Sequence, residues 1–116
     1  MSTFTELPIF EKELKKLSKK YPTLRSDILD IKQVLLACPT GIGKNFIIIK
    51  STETIKIVKV KIHCESLKSR TVRLIYSYRE DKIEFLYLEV YFKGDKENED
   101  RERIDEYLKS ILNRNL

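Results

Sequence analysis

The hydrophobic periodicity of this chain changes twice along its length, and this change limits the folds that it can adopt. Apolar residues recur every three or four positions up to Cys38, at about every second position from Asn45 to Lys93, and at helical spacing again after Gly94. A period near 3.6 is typical of amphipathic helices, and a period of two is typical of strands. The pattern therefore predicts two helices, a block of strands and a final helix, which is the order of an α+β domain.

The positions of these elements follow from the apolar stripes and the residues that interrupt them. The first helix is expected over Leu7–Tyr21 and ends before Pro22, which lacks an amide donor. A second stripe begins at Leu24, and Pro39–Gly43 ends that helix. Residues 45–50, 54–63, 70–79 and 82–93 predict four strands, the last two joined as a hairpin, and the stripe of Ile104, Leu108 and Ile111 predicts the last helix. We expect one domain spanning residues 1–116.

Composition narrows the class of protein further. The apolar runs are far shorter than a membrane span, and the first residues do not have the charged-then-apolar pattern of a signal peptide. Two cysteines, Cys38 and Cys64, are too few for a disulfide framework, so we expect reduced thiols in a cytoplasmic protein. The net charge of +5 favours a polyanionic partner. The basic excess lies before residue 95, whereas acidic residues outnumber basic ones after it.

Alternation along the strands predicts which side chains share a face of the sheet. The set assigned to the core is Val58, Val60, Ile62, Val72, Leu74, Tyr76, Leu86, Leu88, Val90 and Phe92. The set assigned to the opposite face is Lys59, Lys61, Thr71, Arg73, Ile75, Ser77, Tyr87, Glu89, Tyr91 and Lys93. If the helices cover the apolar face, the other face displays Lys59, Lys61, Arg73, Tyr91 and Lys93 together.

Such a set of cations suits phosphodiester chemistry. The planar fork of arginine grips two phosphate oxygens, and clustered cations stabilise the charge of a pentacoordinate phosphate. A lysine crowded by other cations has a lowered pKa and can act as general base for a ribose 2′-hydroxyl, while tyrosine offers a surface for base stacking. The alternative is a solvated sheet face with cross-strand ion pairs, which is the commoner meaning of this pattern.

Four segments, in order, resemble the RelE/ParE family of type II toxins. They are Phe10–Pro22, the basic strand Ile57–Lys61, the arginine-bearing strand Val72–Tyr76, and the last strand with the residues after it, Leu88–Lys96. The resemblance covers nearly the whole chain. It implies two N-terminal helices packed on a twisted four-stranded antiparallel sheet, with a C-terminal helix and an active site on the concave face.

The same resemblance implies an endoribonuclease that cuts mRNA in the ribosomal A site by attack of the 2′-hydroxyl, without a metal or other cofactor. Lys59 and Lys61 would be the base and the phosphate ligands, Arg73 would stabilise the scissile phosphate, and Lys93 with Tyr91 would complete the site. The chain departs from the family pattern in two places. Arg70-Thr71-Val72 replaces the glycines that usually precede the arginine, and no arginine follows the closing strand before Gly94.

Three further features have simpler interpretations. His63, beside Cys64 and Glu65, lacks the three or four ligands of a metal site and is assigned a structural role at a strand end. The segment Gly41–Lys44 lacks the spacing of a phosphate-binding loop and is interpreted as a turn between helix and strand. Tyr107 lies near the apolar stripe of the last helix and is assigned to the core.

Two other functions remain open at this stage. A toxin of the ParE type that inhibits DNA gyrase would have the same fold without needing clustered phosphate ligands. A non-catalytic module, or an inactive toxin, would use the basic face only for docking RNA or protein. In the leading hypothesis the partners are mRNA, the ribosome and a cognate antitoxin that forms a hetero-oligomer with the chain, and a membrane is not among them.

Overall fold

The computed structural model describes residues 3–64 and 71–114. Its elements, in chain order, are β1 (Thr3–Glu6), α1 (Pro8–Lys20), α2 (Leu24–Ala37), β2 (Phe46–Ser51), β3 (Ile55–His63), β4 (Thr71–Arg79), β5 (Glu84–Phe92) and α3 (Arg101–Arg114). The three helices and the four long strands lie where the periodicity predicted them. Pro8 opens α1 at a position where its missing amide costs nothing. None of the helices in these ranges is long and apolar enough to cross a membrane.

The sheet contains five strands in the order β1-β5-β4-β3-β2 and is mixed rather than antiparallel. The prediction of a four-stranded antiparallel sheet is therefore wrong, because the sheet has a fifth strand and that strand is parallel to its neighbour. Residues Thr3–Glu6 pair in parallel with Glu84–Tyr87 of β5, while the other strand pairs are antiparallel. A four-residue strand with one apolar side chain, Phe4, is too short to show a period of two, and it is held by stacking of Phe4 on Phe85.

One face of the sheet packs against α1 and α2. The helices contribute Phe10, Leu14, Leu17, Leu24, Ile28 and Leu35, and the sheet contributes a second buried set that includes Val58, Val60, Val72, Leu74 and Tyr76. Tyr76 is fully buried and donates its hydroxyl proton to the carbonyl of Pro39, which ties β4 to the end of α2. This is the core that the alternation of β3 and β4 predicted.

The opposite face is not open, because α3 covers part of it. Ile104, Leu108 and Ile111 of α3 pack on a second apolar cluster formed by sheet residues such as Ile57, Ile75 and Leu88. The Tyr107 hydroxyl is 2.8 Å from the hydroxyl of Ser77, so Tyr107 fastens α3 to β4. The expectation of a fully exposed basic face is therefore wrong, and the cations are confined to the part that α3 leaves uncovered.

A β-bulge in β5 changes which of its side chains face each core. The register with β4 shifts between Ile75 and Tyr76, so that Ile75 pairs with Glu89 and Tyr76 pairs with Tyr87. The extra residue interrupts the alternation. Val90 and Phe92 face α1 and α2 as predicted, but Leu86 and Leu88 join the α3 cluster and Tyr87 joins the first core, which corrects those three assignments.

Candidate functional site

Strand register brings three of the predicted site residues into one row. Lys61 of β3 lies opposite Arg73 of β4, and Arg73 lies opposite Tyr91 of β5. Neighbouring strands are about 4.8 Å apart, so this row spans roughly 10 Å across the sheet. The next row on the same face contains Lys59, Ile75 and Glu89. We call Lys61, Arg73 and Tyr91, together with Lys59 of the adjacent row, the basic row.

Two members of the basic row, Arg73 and Tyr91, are buried. Arg73 is 7% exposed and donates through Nη1 to the hydroxyl of Thr71. Tyr91 is 5% exposed. Its burial, together with the charges of Glu99 and Glu89, raises its pKa to about 12, although Arg73 acts in the opposite direction. The phenol therefore carries its proton at neutral pH and can act as a hydrogen-bond donor.

Two buried carboxylates, which the sequence did not point to, neutralise part of this face. Lys59 Nζ donates to Glu99 Oε1 at 2.8 Å, and Arg101 Nη2 lies 3.1 Å from Glu99 Oε2. Burial acts to raise the pKa of Glu99, but the hydrogen bond from Lys59 and the charges of Lys59 and Arg101 hold it below its usual value. Glu99 is therefore a buried carboxylate that holds the Lys59 ammonium group in an ion pair.

Glu89 is the second of these carboxylates and is almost fully buried beside Tyr91. Its Oε1 accepts the backbone N–H of Asp100 at 2.7 Å, and its Oε2 forms an ion pair with Lys96. The Lys96 ammonium also lies over the Tyr91 ring, 5.5 Å from its centroid. The segment that joins β5 to α3 is thus fastened to the sheet at the edge of the basic row.

The basic row is flanked by a shallow cavity at each end. Beyond Tyr91, a cavity of about 300 Å³ is lined by three lysines and two acidic residues, which are Lys16, Lys20, Lys96, Glu13 and Asp95. Beyond Lys61, a cavity of about 290 Å³ lies between the end of β3 and α2. Lys16 and Lys20 belong to the lysine-rich surface of α1. They lie beside Tyr91 because α1 packs against β5.

Lys93, the remaining predicted site residue, lies apart from this row. Lys93 is exposed one residue beyond β5, and no side-chain contact within the described ranges joins it to Arg73 or Tyr91. His63 is exposed, whereas Cys64 is buried with its Sγ 3.3 Å from the Thr23 hydroxyl, so the two side chains do not form a dyad. Glu65 and Arg70 lie outside the described residues, and within the described ranges no three His, Cys, Asp or Glu side chains could hold a metal ion.

The segment Gly41–Lys44 is a turn, as interpreted from the sequence. Gly41 and Gly43 have φ values of 75° and 89°, which favour glycine. A Cβ on Gly41 would lie 2.1 Å from the Phe46 ring, so the close approach of that ring also requires glycine. The segment connects α2 to β2 and takes no part in the basic row.

Comparisons with known proteins identify the fold. No protein-family model and no curated protein sequence matches the chain. Among solved structures, the archaeal RelE-RelB complex from Pyrococcus horikoshii OT3 matches with a TM-score of 0.59 at 18% identity, over 80% of this chain and 96% of that chain. This chain has a RelE-like fold. The RelE-like arrangement of helices and sheet is thus retained at a sequence identity too low to carry residue roles from one chain to the other.

Proposed function

We propose that the chain is the toxin of a type II toxin–antitoxin pair and acts as a ribosome-dependent mRNA endonuclease in the cytoplasm. The observation that carries the proposal is the basic row, in which cations from two strands and a tyrosine from a third lie side by side on a RelE-like sheet. The archaeal neighbour is a RelE-RelB complex, which supports a cognate antitoxin as the partner.

The chemistry assigned to the basic row is attack of a ribose 2′-hydroxyl on the adjacent phosphorus. Arg73 and Lys59 bind the non-bridging oxygens and stabilise their charge in the transition state. Lys61, which is exposed, acts as the general base that accepts the proton of the 2′-hydroxyl. The bond to the 5′-oxygen breaks, and Tyr91 donates a proton to that oxygen, which leaves a 2′,3′-cyclic phosphate and a 5′-hydroxyl.

Cations around the row provide a path for the rest of the strand. Lys16, Lys20 and Lys96 line the cavity next to Tyr91 and suit the phosphates that follow the cleaved one. Lys93, exposed at the end of β5, extends this surface. The Tyr91 ring offers one stacking face to a base once the segment above it moves.

The experiment that tests the proposal compares two arginines on the same face of β4. Arg73→Gln is expected to lower the rate of mRNA cleavage on programmed ribosomes by about 10²- to 10³-fold, because it removes a charged donor from the phosphate. Arg79→Gln is the matched control, since Arg79 is equally buried but pairs with Asp81 at the other end of the strand. Thermal unfolding of both variants separates loss of activity from loss of fold.

The outcomes of that comparison are distinct. Equal cleavage by the wild type and a folded Arg73→Gln protein would refute the assignment of the basic row. The burial of Arg73 and Tyr91 favours a second candidate, a non-catalytic module that docks RNA or protein. Intact transcripts with a fully folded wild-type protein would support that candidate.

A further inference from the structure

The segment between β5 and α3 lies against the basic row. We call residues 93–100 the closing segment. Its Lys96 ammonium and its Asp100 amide both bind the buried Glu89 carboxylate, and its Glu99 carboxylate binds Lys59. These contacts place an internal anion on the same side chain that the proposed function assigns to a phosphate.

The environment of Glu99 is that of a bound anion rather than a surface side chain. Its side chain is 1% exposed, while that of Lys59 is 22% exposed. Lys59 and Arg101 each bind a different oxygen of this carboxylate, much as two cations would hold two oxygens of a phosphate. An RNA phosphate that reaches Lys59 has to compete with this carboxylate, because both need the same ammonium donor.

We propose that the closing segment keeps the basic row closed in the free protein and that RNA binds by displacing Glu99 from Lys59. This inference rests on the proposed function, because it takes RNA as the ligand. It accounts for the burial of Arg73 and Tyr91 in a site that has to contact a phosphodiester.

The contacts that hold the closing segment differ from those that hold α3. The contact between Glu99 and Lys59 is an ion pair, so a phosphate of a polyanion can take the place of the Glu99 carboxylate, and another phosphate can pair with Lys96 in place of Glu89. The helix that follows is held by apolar burial of Ile104, Leu108 and Ile111. The segment can therefore leave the basic row while α3 stays docked on the sheet.

The test measures binding of a short single-stranded 2′-O-methyl RNA, which cannot be cleaved, by fluorescence anisotropy. Glu99→Gln keeps the shape of the side chain and removes its charge, and it is expected to tighten RNA binding about tenfold. Asp105→Asn is the matched control, because it removes one negative charge from an exposed ion pair between α3 and Lys50. It is expected to change affinity less than twofold.

A second measurement follows the closing segment itself. Hydrogen exchange at the Asp100 amide, which is bonded to Glu89 in the closed form, is expected to speed up when the RNA binds to the wild type. In a Lys59→Met background, Glu99→Gln is expected to give no further gain in affinity. A gain that persists without Lys59 would show a general charge effect and would overturn the proposal.

Failure of this inference differs from failure of the proposed function. If the wild type and Glu99→Gln bind RNA equally well, with unchanged exchange at Asp100, the closing segment is not displaced and the nuclease proposal still stands. If neither the wild type nor the folded Glu99→Gln variant binds RNA, this inference fails, because freeing Lys59 has exposed no anion site, whereas the nuclease proposal is decided by the cleavage rates of Arg73→Gln and Arg79→Gln on ribosomes.

Discussion

At the scale of single residues, Glu89 and Glu99 change the chemistry of the candidate site most. Sequence alternation placed Glu89 on the cationic face but gave no reason to expect it to be buried, and it did not indicate a role for Glu99 in the site. Both are buried because the chain turns back after Gly94 and lays residues 95–100 against β5. Local periodicity predicted the cations, but it carries no information about the path of a connecting segment.

A separate carboxyl pair gives a pH-dependent prediction. Glu6 and Glu11 share a hydrogen bond at the start of α1, and this bond, with partial burial and the Glu11 charge, raises the pKa of Glu6 to about 7. The pKa of Glu11 is lowered, first by the same bond and then by its interaction with Arg25. Glu6 therefore holds a proton in the folded chain over a range in which it is ionised in the unfolded chain.

Because the folded state binds more protons between pH 4.5 and 7, the contribution of Glu6 to stability is full below that range and is lost as pH rises through it. The free energy of unfolding of the wild type should fall across this range relative to Glu6→Gln, which has no such proton to lose. Denaturant titrations of both proteins at several pH values measure the difference. Parallel pH profiles would contradict the assignment.

At the scale of elements, the helices and the long strands could be predicted because their apolar periods are sustained over many residues. The bulge in β5 could not be predicted, because no glycine or proline marks the position in the strand where the register with β4 shifts. Strand β1 was missed because Phe4 alone marks its apolar face. Burial of the basic row was missed because the path of the closing segment is set by tertiary contacts.

The polar anchor of α3 to the rest of the fold is Arg103. Arg103 donates to the Leu88 carbonyl at 2.7 Å and makes two bonds of 2.9 Å with the carboxylate of Glu13 in α1. Burial acts to lower its pKa, but the partnership with Glu13 raises it overall. A single side chain thus connects α1, β5 and α3.

Arg103→Met should therefore lower the free energy of unfolding by about 3 kcal/mol, because it removes the charged partner of Glu13 and the side-chain donor to the Leu88 carbonyl. Lys109→Met, an exposed cation on the same helix, should change stability by less than about 0.5 kcal/mol. Chemical denaturation followed by circular dichroism measures both values. Equal stability of the two variants would show that the apolar contacts of α3 suffice to hold it.

At the scale of the whole molecule, the charge asymmetry seen in the sequence has a structural counterpart. The cations of residues 1–94 include Lys59, Lys61 and Arg73 of the basic row, and the acidic segment that follows places the Glu99 carboxylate on Lys59. The net charge of +5 describes the whole chain and does not show that an internal carboxylate neutralises part of the site in the closed form. Opening of the closing segment would restore a cationic surface for RNA.

The central claim of the proposed function is that this surface activates the 2′-hydroxyl of an RNA, and it rests on the alignment of Lys61, Arg73 and Tyr91 across three strands. The most direct measurement uses mRNA on programmed ribosomes with a single 2′-deoxynucleotide placed at the cleavage position. We expect the cut at that position to disappear. An all-ribose transcript should be cut there and should end in a 2′,3′-cyclic phosphate. Unchanged cleavage at the deoxynucleotide would contradict it.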